Sequence, residues 1–404
     1  MADLTGVVDP AGSSTSPRGF QAGAVFAGMK SYGEGKLDLA ILASDLPCTV
    51  AATFTKNTLH SASVDVNRAH LLAGAPRAVV VNAGIANSST GVRGLADGEQ
   101  MAAWAGEKLG YAANDVLVCS TGVIGQFLPM EKIERGISEI ALRPDGGPDL
   151  ARAFMTTDTR PKQGSVRFGP YTLGGCCKGS GMIHPNMATM LAFLTTDAPI
   201  EQGFLQRALS AVVERSFNLL SIDGDTSPSD TVLLFANGAA GGEEIGERAE
   251  SEMRAGFEDA LEALCTYLAK EMARDGEGAT KLMEVSVTGA ASFADASALI
   301  RLMTTSYLVK SAVHGADPNW GRIVAVAGRS GVDLSEERFF VEICGTRVFE
   351  RAEPTEFDPL QVAEAMRADT VTIRVDLGVG DAEATGWGCD LSAEYVSINA
   401  DYHT

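Results

Sequence analysis

Midway along the chain stands the stretch Lys178-Gly-Ser-Gly-Met-Ile-His-Pro-Asn-Met-Ala-Thr-Met-Leu-Ala-Phe-Leu-Thr-Thr-Asp197. It begins as a glycine-rich turn and continues as an apolar run from Met187 to Leu194. The bond between Ala188 and Thr189 lies where the turn gives way to the apolar run, a place where one peptide bond can be exposed and strained. A threonine there can attack the preceding carbonyl, split the chain, and then serve as an N-terminal nucleophile with its new amine as the base.

The same residues also permit a plainer interpretation. A Gly-Ser-Gly turn followed by an apolar strand is common in α/β proteins, and threonine is an ordinary strand residue. From residue types alone, a turn and a strand account for the stretch. A phosphate-binding loop does not, because that motif needs Gly-Lys followed by Ser or Thr at the start of a helix, whereas Lys178 precedes the glycines.

Residues 178–193 resemble the self-cleavage segment of the ornithine acetyltransferase family, the glutamate N-acetyltransferases of arginine biosynthesis. The match is long and contiguous, and other family-like segments extend the resemblance over essentially the whole chain. It implies cleavage between Ala188 and Thr189 into an α chain (1–188) and a β chain (189–404) that starts with the nucleophile. It further implies transfer of an acetyl group from N2-acetyl-L-ornithine to L-glutamate through an acetyl-Thr189 intermediate, in a ping-pong cycle.

The resemblance also implies the other site residues. Thr121 and Gly122 match the pair that stabilises the oxyanion. The implied substrate contacts are Thr156, Lys178, Thr189, Glu277, Asn399 and Thr404. No metal and no bound cofactor are expected, and the use of acetyl-CoA as a second acetyl donor is left open.

The residue types around these positions suit such chemistry without requiring it. Ser120-Thr-Gly follows an apolar run and offers hydroxyls and a backbone N–H in one turn; donors fixed in this way need no reorganisation as charge develops. A plain exit from a strand explains the same residues. Glu277 lies between two glycines, which is typical of a helix C-cap, and in the family it would grip an amine of the substrate. Lys178, a cation close to Thr189 in the sequence, is the residue expected to pair with a substrate carboxylate.

Two loops depart from the family pattern. Ile85 and Ser89 stand where the family usually has asparagine and cysteine, and Pro228-Ser229 stand in place of Thr-Asn. The second departure lies in the acidic loop Ser221–Asp230, whose Asp-x-Asp spacing with a glycine (Asp223-Gly-Asp225) hints at calcium. Because the 12-residue calcium loop with its terminal glutamate is absent, a structural loop is the preferred interpretation.

Composition limits the class of protein. With 404 residues, 45% of them hydrophobic, the chain can bury a large core in two or three domains. Its net charge of -20 argues against nucleic-acid or membrane partners, because phosphate binding needs a basic face. The seven cysteines and five histidines show no ligand spacing, which predicts reduced thiols and no metal. The amino terminus lacks signal-peptide features and no apolar run reaches membrane length, so we expect a cytoplasmic protein.

The resemblance implies an α/β fold, with an αββα-type layered sandwich and a smaller C-terminal α/β part. The α and β chains would stay together through shared sheets, as a heterotetramer of two of each. Local patterns add that residues 37–42 and 48–54 are paired strands and that residues 293–313 form one helix.

Two alternative functions remain open at this stage. An N-terminal-nucleophile amidase or aminopeptidase would use the same Thr189 but pass the acyl group to water instead of an amine. A non-catalytic small-molecule binding protein would use the mid-chain stretch only as a turn and a strand, and its chain would stay intact.

Overall fold

The computed structural model describes residues 7–30, 36–184 and 190–401. Its strands are β1 (Phe20–Val25), β2 (Leu39–Ser44), β3 (Thr49–Phe54), β4 (Ala78–Ile85), β5 (Val116–Val123), β6 (Lys162–Phe168), β7 (Tyr171–Lys178), β8 (Leu191–Thr196), β9 (Leu220–Ser221), β10 (Thr231–Ala236), β11 (Leu282–Ala290), β12 (Phe340–Ile343), β13 (Thr346–Glu350), β14 (Glu353–Pro354), β15 (Thr370–Asp376) and β16 (Ala382–Cys389). Its helices are α1 (Ala62–Ala73), α2 (Gly91–Leu109), α3 (Met130–Glu139), α4 (Gly147–Ala153), α5 (Gln202–Arg215), α6 (Ser251–Arg274), α7 (Phe293–Thr305), α8 (Tyr307–His314), α9 (Trp320–Gly328), α10 (Pro359–Ala365) and α11 (Ala393–Asp401).

The strands of the described residues form three sheets. A four-stranded sheet has the order β1-β2-β4-β5, and a five-stranded sheet has the order β3-β10-β8-β7-β6. A seven-stranded sheet, β14-β13-β12-β15-β11-β16-β9, occupies the C-terminal part. No helix of the described residues has the length and apolarity needed to cross a bilayer.

The first two sheets face each other and are covered by helices on their outer sides. Leu42 and Val81 of the four-stranded sheet meet Phe193 and Phe235 of the five-stranded sheet in one buried core. On the outer side of the four-stranded sheet, Val80 packs with side chains of α2 and α3. Helices α5 and α6 cover the outer side of the five-stranded sheet. The predicted αββα layering is therefore confirmed.

This layering explains why the central strands read as continuous apolar runs. In the segment Ala78-Val-Val-Val, Val79 and Val81 point into the core between the sheets, and Ala78 and Val80 point to the helices. A strand buried on both faces needs apolar residues at every position rather than at alternate ones.

The C-terminal part has its own core, built from the seven-stranded sheet and helices α7 to α9. It is joined to the sandwich by β16, whose Trp387 and Cys389 are buried in the core beneath α5 and α6. The predicted smaller C-terminal α/β part is therefore confirmed, and it shares buried side chains with the rest of the chain.

Two local predictions are wrong. Residues 37–42 and 48–54 fall in strands of different sheets: β2 lies between β1 and β4, and β3 pairs with β10. The short connection between them crosses from one layer to the next instead of closing a hairpin. The helix expected over residues 293–313 is two helices, because Ser306 interrupts it and its Oγ accepts the Val309 N–H at 3.4 Å as an N-cap.

The order of the five-stranded sheet sets the position of the mid-chain stretch. β7 ends at Lys178, which is paired with Leu191 at the start of β8, and β8 lies between β7 and β10. The chain therefore leaves the sheet after Lys178 and rejoins it beside the same residue. The predicted cleavage site, Ala188 and Thr189, lies outside the described residues, between His184 and Met190.

Candidate functional site

The predicted oxyanion pair lies at the end of a parallel strand pair. Thr121 and Gly122 are the partners of Ala83 and Gly84 on β4. Gly122 has a φ of +128°, and a Cβ added to it would lie 2.2 Å from the backbone carbon of Gly84. Only glycine fits there, so the turn after Thr121 is fixed by the close approach of two strands.

Thr121 reaches the beginning of β8. Together with Lys178, Met190 and Asp230 it lines a cavity of about 10 Å³, on the order of the space of one water molecule. Met190 is the first described residue after the predicted cleavage site. The residue predicted to hold the oxyanion is therefore close to the chain that follows the predicted nucleophile.

Lys178 is buried at the end of β7 with only 5% of its surface exposed. Burial lowers the pKa of its amine below the ordinary value, and the carboxylate of Asp158 opposes that shift. Glu277 and Asp230 also raise the pKa of Lys178, and burial raises the pKa of Asp230 itself well above the ordinary value. A buried cation among carboxyl groups is suited to hold an anionic ligand group, because its charge is little screened by water.

A buried ion-pair network supports this corner. Lys162 Nζ lies 2.6 Å from Asp158 Oδ1 and 2.5 Å from Asp275 Oδ2. Asp158 Oδ1 also accepts the Gly179 N–H at 2.7 Å. Burial alone would raise the pKa of the Asp158 carboxyl, but the cations of Lys162 and Lys178 outweigh it and lower that pKa to about 2.

Asp158→Asn is expected to lower the free energy of unfolding by about 3 kcal/mol at pH 7, since Lys162 loses one of its buried anions. The folded-state pKa of Asp158 is depressed from 3.8 to about 2. Its contribution is therefore complete above pH 3.8 and is lost as the pH falls through about 2, a total of about 2 kcal/mol. Denaturant unfolding between pH 7 and pH 2 measures both effects.

The matched control for that variant is Asp145→Asn. The Asp145 side chain is 83% exposed and pairs with Arg143 at the surface, so its loss is expected to change stability by less than about 1 kcal/mol. Equal stability of wild type and the Asp158 variant at pH 7 would contradict the assigned role of the network.

Glu277 packs directly on the glycine turn that follows Lys178. Its backbone N–H donates to Ser180 O at 2.8 Å, and a Cβ added to Gly181 would lie 2.4 Å from its carboxyl carbon. Its Oε2 accepts the Asn399 Nδ2–H at 2.7 Å. The structure thus brings together two predicted substrate contacts that are far apart in the sequence.

The loop that contains Thr156 docks on the same turn. The Thr156 N–H donates to Asp158 Oδ2 at 3.0 Å. The hydroxyls of Thr157 and Ser180 are 2.6 Å apart. Thr156 is therefore held near Lys178 and Glu277, while Thr404, the last predicted contact, lies outside the described residues.

The departures from the family pattern have different surroundings. Ile85 packs its side chain against the core beneath α2 and α3, so that position has an apolar role in this chain. Ser89 is exposed, with a φ of +58°. Pro228 and Ser229 are buried, and Ser229 Oγ has no hydrogen-bond partner among the described residues.

Sequence reasoning missed the network beneath this corner. Its members are Asp158, Lys162 and Asp275. Asp275 pairs with a lysine more than a hundred positions away along the chain, and no local pattern predicts such a contact.

Seven free cysteines and no metal-binding cluster are found among the described residues. A separate cavity of about 470 Å³ beside β11 and β16 is not lined by the described site residues.

The comparison with known proteins decides the family. A model of the ArgJ family matches residues 21–404. The chain belongs to the ArgJ family. It is 45% identical over 399 residues to the arginine biosynthesis bifunctional protein ArgJ of Dehalococcoides mccartyi (strain CBDB1), covering 98% of each chain. The ArgJ protein of Symbiobacterium thermophilum is 46% identical over 400 residues, covering 98% of this chain and 99% of that one.

A crystal structure of the arginine biosynthesis bifunctional protein ArgJ from Bacillus halodurans is also similar. It is 44% identical, has a TM-score of 0.50, and covers 52% of this chain and 98% of that chain. The family resemblance predicted from residues 178–193 is thereby confirmed, and the protein is an ArgJ-type acyltransferase.

Proposed function

We propose that this protein transfers the acetyl group of N2-acetyl-L-ornithine to L-glutamate, with Thr189 as the nucleophile. The observation that carries the proposal is the match of the ArgJ family over residues 21–404, together with close relatives named as arginine biosynthesis enzymes. The geometry supports it, because Thr121, Lys178 and Glu277 surround the two ends of the segment that contains Thr189.

The active enzyme is formed by self-cleavage. The Thr189 hydroxyl oxygen bonds to the Ala188 carbonyl carbon, the bond from that carbon to the Thr189 nitrogen breaks, and the hydroxyl proton moves to the nitrogen. Water then hydrolyses the ester and leaves Ala188 as a carboxylate. The fragments are residues 1–188 and 189–404, each about half of the chain. The solved ArgJ chain that aligns with only 52% of this one supports fragments of that size.

The new amine then acts as the base. A terminal amine has a pKa of about 7.7–8.0, so part of it is neutral near pH 7 and takes the Thr189 hydroxyl proton. The hydroxyl oxygen attacks the acetyl carbonyl, and Thr121 Oγ1 and the Gly122 N–H stabilise the oxyanion. Ornithine leaves with the proton, and the acetyl group remains on Thr189. The amine of glutamate attacks this ester and regenerates the free threonine.

The charged side chains around the turn hold the two substrates. Lys178 pairs with the substrate carboxylate, where burial strengthens the interaction. Glu277, oriented by Asn399, receives the δ-ammonium of ornithine or the α-amine of glutamate, while Thr156 and Thr404 complete the contacts. Acetyl-CoA serves as a second donor, in keeping with the word bifunctional in the relatives' name. We further propose a cytoplasmic heterotetramer of two α and two β chains, in which the five-stranded sheet would hold each α chain to its β chain.

The deciding experiment is an acyl-acceptor assay. Purified protein incubated with N2-acetyl-L-ornithine is expected to release ornithine rapidly only when L-glutamate is added, with N-acetylglutamate formed in equal amount. The alternative, an N-terminal-nucleophile amidase or aminopeptidase, would release ornithine and free acetate at the same rate without glutamate. Replacing acetylornithine by acetyl-CoA in the same assay tests the second donor.

A further inference from the structure

The acidic loop contacts the chain upstream of the predicted cleavage site. Asp223 Oδ2 accepts the Met182 N–H at 2.5 Å, and its Oδ1 accepts the Ile183 N–H at 2.9 Å. The Ile183 carbonyl in turn accepts the Ile222 N–H at 2.8 Å. Met182 has a φ of +55°, a left-handed conformation that costs free energy in a non-glycine residue. The Asp223 carboxylate therefore stabilises a turn that would not persist by itself.

The other end of the same loop contacts the chain downstream of the cleavage site. The Met190 N–H donates to the Asp230 carboxyl group, and the Thr231 N–H donates to the Met190 carbonyl at 2.9 Å. The N–H and the carbonyl of Met190 are thus each hydrogen-bonded, the first to Asp230 and the second to Thr231. Asp230 is only 2% exposed, and its Oδ2 has no hydrogen-bond partner among the described residues. The hydrogen bond that Asp230 accepts from Met190 comes from the amide nitrogen to which residue 189 is bonded.

The loop is itself fixed to the sandwich between these two contacts. Thr55 Oγ1 donates to Ser227 O at 2.9 Å, and the Thr55 N–H donates to Asp230 O at 2.9 Å. The Ser61 N–H donates to Pro228 O at 2.8 Å. These bonds tie the loop to the end of β3 and to the start of α1. The loop therefore connects Ile183 and Met190 to the same part of the sandwich.

We propose that the loop Ser221–Thr231 is a clamp for self-cleavage, in which Asp223 upstream and Asp230 downstream fix the chain on both sides of the Ala188–Thr189 bond. Holding both flanks limits the conformations of the residues between them, and a restricted approach of the reacting atoms accelerates an intramolecular attack. The clamp rests on the proposed self-cleavage. Asp223 and Asp230 are positioning residues that act through the backbone of the held segment.

The two acids should differ in their tolerance of substitution. Asp223 uses both oxygens as acceptors, and an asparagine supplies only one, so Asp223→Asn loses a backbone contact. Asp230 accepts one N–H through one oxygen, and burial raises its pKa well above the ordinary value, so the neutral amide of Asp230→Asn is a close mimic. Asp230→Ala removes the acceptor and leaves the Met190 N–H without it.

The test follows cleavage of the full chain in a cell-free translation reaction, sampled over time on a denaturing gel. Asp223→Asn and Asp230→Ala are each expected to slow cleavage by about tenfold or more, as the loss of a charge-assisted or buried hydrogen bond predicts. Asp230→Asn is expected to cleave at close to the wild-type rate. Asp225→Asn is the matched control, because it makes the same charge change at an exposed position of the same loop.

A pH profile separates positioning from a purely structural role. Burial raises the pKa of Asp223 to about 6, against the hydrogen bonds from Met182 and Ile183. Wild-type cleavage should therefore accelerate as the pH rises through about 6, and Asp223→Asn should lack that step. The titratable groups facing Asp223 are Asp225 in the loop, Cys389 on β16 and Tyr395 on α11. His184 is a second titratable group on the held segment, and burial and Arg301 lower its pKa below 6.5. Loss of the step in Asp223→Asn therefore assigns it to Asp223, and a step that persists in Asp223→Asn would assign it to His184.

The outcomes distinguish the clamp from the reaction it serves. A wild-type chain that stays uncut would overturn the self-cleavage proposal itself. A wild-type chain that is cut, with Asp223→Asn and Asp230→Ala cut equally fast, would overturn only the clamp. Thermal unfolding of the same substitutions in a Thr189→Ala background measures folding separately. Slower cleavage that merely follows a loss of folded protein also overturns the clamp.

Discussion

Thr189→Ala is expected to remain one polypeptide of 404 residues and to have no measurable acetyl transfer. The alanine side chain has no hydroxyl and can attack neither the Ala188 carbonyl nor an acetyl group. Removing the nucleophile of a comparable covalent mechanism costs on the order of 10⁶ in kcat. A denaturing gel with intact-mass measurement shows the state of the chain, and the acetylornithine–glutamate assay shows the activity.

The matched variant for this experiment is Thr189→Ser, which keeps the hydroxyl and loses one methyl group. It is expected to cleave and to transfer acetyl groups, both more slowly than wild type. Cutting of the alanine variant at the same bond and rate as wild type would show that another group, or a protease, performs the cleavage. Full transferase activity in an uncut alanine variant would remove Thr189 from the mechanism.

Thr121→Ala is expected to reduce kcat for acetyl transfer by about 10²–10³, with a much smaller change in KM. In the proposed mechanism the hydroxyl donates to an oxygen that is negative only in the transition state, and removing one such donor costs about 3–4 kcal/mol. The fold should tolerate the change, because Thr121 lies at the end of β5 and lines a cavity of only about 10 Å³. Steady-state kinetics at saturating glutamate separate the two constants.

Thr121→Ser provides the control, since it retains the donor and should retain most of the activity. A Thr121→Ala enzyme with unchanged kcat would show that the Thr-Gly turn is only an exit from β5. A large rise in KM with unchanged kcat would assign Thr121 to substrate binding instead. The close approach of Gly122 to Gly84 makes substitutions at Gly122 a poorer test, because they disturb the strand pair itself.

The existence of most elements could be predicted from local pattern, and their partners could not. The apolar run that contains Val79 and Val81 predicts a buried strand, and the structure has one. Nothing in residues 37–54 shows that β2 and β3 join different sheets. Their partners come from distant parts of the chain, such as Thr231 opposite Phe54. Pairing of this kind is decided by packing against cross-strand and same-face neighbours, which a local pattern does not contain.

The site shows the same division between local and distant information. The resemblance of the mid-chain stretch and of the Thr-Gly turn supplied the predicted residues, and the described ones among them surround one strand end. The supporting groups have no local signal. In the sequence, Asp158 is an ordinary acid in a polar loop. Only the fold brings Lys162 into contact with both Asp158 and Asp275. Asp223 resembled part of a calcium loop, and its carboxylate instead accepts backbone N–H groups.

The position of β8 inside its sheet determines how the two proposed fragments would hold together. The proposed cleavage would create a new amino terminus one residue before Met190, and chain ends ordinarily fray. This end leads into a strand that pairs with β7 from residues 1–188 on one side and with β10 from residues 189–404 on the other. Separating the fragments would break the β7–β8 ladder and expose the core between the sheets. The two proposed fragments would therefore form one cooperative folding unit with a nick in its covalent chain, not two subunits that fold first and associate afterwards.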